Sequence, residues 1–247
     1  MAEAARRRTP TEQVVRELTE RLREREAARR VDEEPLSTGV AAWDQCLPHG
    51  GLRRGSVVEW LADSVGDGAG ALALLSAREA CRTGRLLVVI EEPASAERPL
   101  LYLPALEQPR RIVDRRDVVV VRPADRAETL WAAEQALRCP AVGAVWSWFE
   151  RLADGAGRRL QLAAESGGSL GIFLRPASAR REPSWADVRF FVRPAAGRRG
   201  RRLQVEVLRA RGAWPGQAVD LEIDDETGAV HLAAELADSA EGLRAVR

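Results

Sequence analysis

Apolar and polar positions follow two rhythms along this chain. Through residues 2–34, Arg and Glu interleave around a short apolar stripe of Val14, Leu18 and Leu22, with Val15 beside it, at the spacing of one helical face. Thr9 as cap, Pro10 at the first helical position and Glu12 three residues after the cap mark a helix start. Glu12/Arg16, Glu17/Arg21 and Glu26/Arg30 lie four apart and support the same helix. From Leu36 the rhythm changes to strand, turn and helix in alternation. Strands are predicted at 55–61, 86–90, 117–121, 141–146 and 170–174, and helices at 69–83, 100–107, 127–138 and 158–165. These strands are apolar throughout rather than alternating, the pattern of a parallel sheet covered on both faces. The last third, 188–192, 203–208 and 219–223, has strands joined by short turns, as in an antiparallel extension of the same sheet. The expected class is α/β, a mainly parallel sheet with flanking helices and a C-terminal antiparallel extension. It divides into a charged helical arm at 1–34, a core at 35–224 and an acidic, alanine-rich tail at 225–247, expected to form a terminal helix or stay disordered.

Composition narrows the chemistry. At 247 residues and 45% hydrophobic, the chain can hold one large domain with an arm, or two small ones. Its 38 basic and 37 acidic side chains leave a net charge of +1, so any nucleic-acid contact has to be local. No apolar run approaches the ~18 residues of a membrane span, and residues 1–8 run into charges instead of a secretory apolar core. The cytoplasm is the expected compartment, with no membrane partner. Cys46, Cys81 and Cys139 are too few and too scattered for a disulfide framework or a metal knuckle and read as small buried hydrophobes. His49 and His231 stand in no nucleophile or metal spacing. Every basic residue is an arginine, which excludes Schiff-base, adenylating and phosphate-loop lysine chemistry.

Leu36-Ser-Thr-Gly39, Asp44, Leu47, Gly50-Gly51-Leu52, Gly55 and Glu59 build a lead-in to the first core strand. The glycines permit tight turns, Asp44 can bond within the turn, and Val57-Val58 start the strand. This stretch resembles the start of the ATPase core of the RecA recombinase family. The resemblance implies a RecA-like fold whose first strand runs into a Gly-rich phosphate loop ending in Gly-Lys-Thr. Here the matching stretch, Ala62-Asp-Ser-Val-Gly66-Asp67-Gly68-Ala69-Gly70-Ala71, keeps Gly66, Gly68 and Gly70 but has no lysine and no terminal hydroxyl. Asp63 and Asp67 add negative charge that disfavours a nucleotide. The magnesium carboxylate that the family carries at the end of a later strand is replaced by Trp146-Ser147-Trp148. Glu91 and Glu92 lie near the position of the family's water-activating carboxylate and, without phosphate and metal, read as a solvated pair. The expectation is a degenerate phosphate loop with no catalytic residue, no metal and no cofactor. The enzyme-class alternative is a divergent nucleotide-binding switch, with phosphate on the amides of the three glycines and an arginine replacing the lysine.

A narrower resemblance follows from Leu130-Trp131-Ala132-Ala133-Glu134-Gln135-Ala136-Leu137-Arg138-Cys139-Pro140, Gly157-Arg158-Arg159-Leu160-Gln161-Leu162-Ala163-Ala164-Glu165, and Glu206-Val207-Leu208-Arg209-Ala210-Arg211-Gly212. In order and spacing these are similar to the ImuA family of RecA-like translesion-mutagenesis accessory proteins, over 36–224. The resemblance implies a non-catalytic role in SOS translesion synthesis. Its implied partners are an ImuB-like polymerase subunit, an error-prone replicative-type DNA polymerase and RecA. Read from spacing alone, Leu130, Trp131 and Leu137 pack against the sheet while Glu134 and Arg138 pair on the opposite face. Arg158 and Arg159 on a short helix are candidate DNA or partner contacts. So are two arginine clusters read as exposed, Arg175 with Arg180 and Arg181, and Arg198 and Arg199 with Arg201 and Arg202 around the Gly197/Gly200 turn. With Trp185 as a stacking residue, these loops suit single-stranded DNA, the binding-module alternative. Trp146 and Trp148 share one strand face as core or cleft lip, and Trp43, Trp60 and Trp214 read as core or interface anchors.

Overall fold

Runs of valine and isoleucine favour extended backbone, and strands buried on both faces need no alternation. In a computed structural model, described for residues 35–64, 66–91, 114–195, 201–211, 216–224 and 230–233, these runs form one sheet. Its strands are β1 (Val57–Ala62), β2 (Leu86–Ile90), β3 (Val118–Val121), β4 (Val142–Trp148), β5 (Leu170–Pro176), β6 (Val188–Ala195), β7 (Arg201–Ala210), β8 (Ala218–Ile223) and β9 (Val230–Leu232), in the order β3-β2-β4-β5-β1-β6-β7-β8-β9. The fold is α/β and RecA-like. The expected arm at 2–34, the helix at 100–107, Glu92, Trp214 and the turn bearing Arg198 and Arg199 lie outside the described residues.

Two predictions about the strands need correction. β6 pairs parallel to β1, with Glu59 opposite Arg189, so the antiparallel part begins one strand later, at β7. The sheet also runs on past Asp224. Val230–Leu232 pairs antiparallel with β8 where a terminal helix or disorder is expected, because β8 offers an edge to pair with.

Among the described residues, three helices of more than ten residues cover the sheet. α1 (Ala69–Cys81) buries Leu72, Ala73, Ala77 and Ala80 with Trp43, Val58, Trp60, Trp146, Phe190 and Val205. On the other face, α2 (Arg126–Arg138) and α3 (Asp154–Gly167) bury Ala133, Leu137, Leu160 and Ala163 with Val57, Val145 and Phe173. Asp125 caps α2 by accepting from the Glu128 amide at 2.9 Å, and Glu128 reaches back to the Ala124 amide at 2.8 Å. Arg85 closes the far end of α3, donating to the carbonyls of Gly167, Gly168 and Pro140. Gly167 is required by contact: a Cβ there would lie 2.1 Å from the Leu137 carbonyl oxygen, where α3 crosses the end of α2.

The sequence between β5 and β6 must cross β1, since β1 lies between them. Residues 177–187 make this crossover, starting with a 3-10 turn at Ala177–Arg181. Leu61, Ala179 and Phe191 form a small apolar cluster beneath it.

Candidate functional site

The lead-in to β1 is held by one carboxylate. Asp44 accepts from the Thr38 amide at 2.7 Å, the Thr38 hydroxyl at 2.6 Å and the Ser37 hydroxyl at 2.6 Å, which fixes the Leu36–Gly39 turn. The Ser76 hydroxyl of α1 donates to the Thr38 carbonyl at 3.1 Å and docks the turn on the helix. These groups do structural work, as the sequence reading expects of Asp44.

β1 leads into the glycine loop and α1. Asp67 folds back onto the loop, accepting from the Ser64 amide at 2.6 Å and the Ser64 hydroxyl at 2.7 Å. One amide donor of the loop is therefore occupied by the chain's own carboxylate. Gly68 caps α1 at φ +88, and a Cβ there would lie 2.4 Å from a methyl carbon of Leu203, a buried residue of β7. The glycines differ in what they do: Gly66 faces open space, a Cβ on Gly70 would make only an ordinary contact at 3.9 Å, and Gly68 alone is demanded by backbone and packing together.

At the end of β4, Trp146 is buried and Trp148 half-buried on the α1 side of the sheet, so these two do share a face. Ser147 is buried and donates its hydroxyl to the Ile90 carbonyl at 3.0 Å, stitching β4 to β2. Glu91 corrects the solvated-pair reading. It is buried and accepts from Arg122 at 3.1 Å. Trp43, Trp60 and Phe190 pack as an aromatic triad with ring centroids 4.5 to 4.9 Å apart, in keeping with core anchors. Among the described residues, no group of three or more His, Cys, Asp or Glu side chains is arranged to hold a metal ion. Burial pushes the Cys81 thiol up to about 11 and raises Cys46 as well, whereas Cys139 is exposed.

The largest departure from expectation is Arg175. Read as part of an exposed loop cluster, it is fully buried, because it is the inward residue of β5 beside β1. Glu59, one residue in the apolar β1 run, is 1% exposed and takes one guanidinium on each oxygen: Arg175 at 3.2 Å and Arg189 at 2.7 Å. Arg175 also reaches Glu182 at 2.5 Å and the Phe149 carbonyl at 3.3 Å. Arg189 donates to the carbonyls of Ala179 at 2.7 Å, and of Arg180 and Glu182 at 3.3 Å. Two carboxylates and two guanidiniums thus balance in charge and lock the crossover onto β1. A charged residue inside each of the apolar runs Val-Val-Glu-Trp-Leu-Ala, Leu-Gly-Ile-Phe-Leu-Arg and Val-Arg-Phe-Phe-Val was the sequence signal for this network.

The remaining arginine candidates are dispersed. Arg180 pairs with Glu206 at 2.7 Å and lies 5.0 Å over the Phe191 ring, while Arg181 is exposed at the end of the 3-10 turn. Arg159 pairs with Glu134 at 3.4 Å, and Glu134 also pairs with Arg138 at 2.7 Å, as their spacing predicts. Arg158 lies 5.3 Å over the ring of Trp185, whose indole N–H donates to Asp154 at 2.7 Å. The structure therefore brings Arg158 and Trp185 together and separates Arg175 from Arg180 and Arg181. Trp131 also corrects its reading. It is 65% exposed, because α2 turns Thr129, Ala133 and Leu137 toward the core. No described helix is long and apolar enough to cross a membrane.

No family model matches the chain. It is similar to Protein ImuA from two strains of Caulobacter vibrioides, 32% identical over 213 residues that cover 77% of this chain and 84% of each relative. Identity of this level, sustained over most of both chains, shows the family: this chain belongs to the ImuA family.

Proposed function

We propose that this protein is a non-catalytic accessory factor of SOS translesion synthesis and mutagenesis, working in the cytoplasm. It bridges an ImuB-like polymerase subunit, an error-prone replicative-type polymerase and RecA. The core, with its sheet continued through Val230–Leu232, supplies the binding surfaces, and the arm at 1–34 is a separate unit. Membership of the ImuA family supports the process. The observation that carries the non-catalytic part is the glycine loop: Asp67 occupies the Ser64 amide, Leu203 is packed against Gly68, and the chain has no lysine to hold a phosphate. An incoming nucleotide would meet a carboxylate already seated on the loop, and charge repulsion opposes its displacement. Single-stranded DNA fits less well, since Arg175 and Arg180 are committed to carboxylates of the chain itself.

Calorimetric titration of the folded protein with magnesium-ATP, alone and with single-stranded DNA, tests this reading. It requires no saturable heat in either titration. Saturable nucleotide binding would restore the nucleotide-switch alternative. The process itself is tested by deleting the gene and measuring damage-induced mutation frequency, which should fall.

A further inference from the structure

The polar-faced helices α2 and α3 carry two large apolar side chains on their outer surface, Trp131 at 65% exposure and Leu162 at 52%. The other five described tryptophans are buried or half-buried. Their relation follows from the ion pair between the helices. Glu134 of α2 meets Arg159 of α3, and Trp131 stands three residues before Glu134 while Leu162 stands three after Arg159. Each apolar residue is therefore a surface neighbour of the ion pair. Both helices connect parallel strands and run in the same direction, so Trp131 and Leu162 lie to either side of it, about 9 Å apart along the helix axes.

The charge around this pair is unequal. The single Glu134 carboxylate, largely covered, serves two guanidiniums that remain substantially exposed, those of Arg138 and Arg159. Arg158 lies over the Trp185 ring. Glu128, one turn before Trp131, has its carboxylate engaged by the Ala124 amide at the helix start. The face is thus apolar at Trp131 and Leu162 and basic at Arg138 and Arg159 around the ion pair, while Glu165, three residues after Leu162, is paired with Arg53 at 3.5 Å. Tryptophan and arginine together form the composition in which binding energy concentrates at protein interfaces.

We infer that the outer face of α2 and α3, with Trp131 and Leu162 as anchors and Arg138 and Arg159 as its basic frame, docks an apolar segment flanked by carboxylates on the polymerase subunit. The inference rests on the accessory-factor reading and adds to it a surface and the chemistry of what that surface receives. Carboxylates on the partner would satisfy the guanidinium charge that Glu134 leaves over, while its apolar residues cover the indole.

The test is biolayer interferometry of the full chain against the purified ImuB-like subunit of the same organism. The wild type should bind, with affinity falling as salt rises. The double variant Trp131→Ala with Leu162→Ala should weaken binding about tenfold or more at an unchanged melting temperature, and Arg159→Glu should weaken it too. Val119→Ser, at an exposed apolar site on β3, should leave binding within about twofold. Wild-type affinity in the double variant would overturn the docking face and leave the accessory reading intact. Absence of binding by the wild type would sink that partner assignment and the docking face together. A large drop in melting temperature for Trp131→Ala, with full binding by Arg159→Glu, would show the indole to be structural and also overturn the inference.

Discussion

Replacing Glu59 by Gln keeps the size of the side chain and one oxygen acceptor but turns the other position into an N–H donor. Both oxygens of Glu59 are in use, one by Arg175 at 3.2 Å and one by Arg189 at 2.7 Å. An amide in either orientation therefore points a donor at a guanidinium. It also removes one of the two carboxylates that balance Arg175, which has no exposure at all, and Arg189, whose side chain is 8% exposed. Breaking a buried pair while leaving its partner charged costs about 3–5 kcal/mol. In a domain of this size that corresponds to a fall in melting temperature of about 6–20 °C. Urea unfolding of the wild type and of Glu59→Gln, followed by tryptophan fluorescence, measures it directly. A cycle with Arg175→Met adds the pairwise part. The double variant should lose less than the sum of the singles by about 1 kcal/mol or more, since Arg175→Met removes the charge that Glu59→Gln orphans. A loss below about 1 kcal/mol for Glu59→Gln, with additive singles, would refute the claim that this network holds the crossover.

The other predictions concern the loop and the thiols. Gly68→Ala should destabilise by about 2–4 kcal/mol, from a left-handed backbone and a clash with Leu203, while Gly66→Ala, which meets nothing, should stay within about 0.5 kcal/mol in the same unfolding assay. Cys81 has its folded pKa raised from 9.0 to about 11, so the folded state holds that proton where the unfolded state has lost it. Its contribution is fully present below pH 9 and is lost as pH climbs to about 11. With no lysine and one tyrosine in the chain, this alkaline slope has few competitors, and it should flatten in Cys81→Ala when stability is followed from pH 8 to 11. A thiol reagent at neutral pH should modify exposed Cys139 quickly and Cys81 only on unfolding.

Local rules carried most of the secondary structure. The apolar runs and the helical spacing placed β2, α2 and β4 within a residue or two, because burial on both faces and helical periodicity are written in consecutive residues. The family resemblance rested on loop and helix motifs, and the absence of lysine was complete in the composition. What a side chain faces is another matter. Spacing turned Trp131 toward the sheet, whereas the side of α2 that meets it is the one bearing Thr129, Ala133 and Leu137, which leaves Trp131 exposed. Nor does a run of apolar residues say which strand lies beside which. Glu59, Arg175 and Arg189 are up to 130 residues apart, and each alone is an anomaly in a buried strand. Only the order β5-β1-β6 places them side by side, where opposite charges offset the burial that each would otherwise oppose.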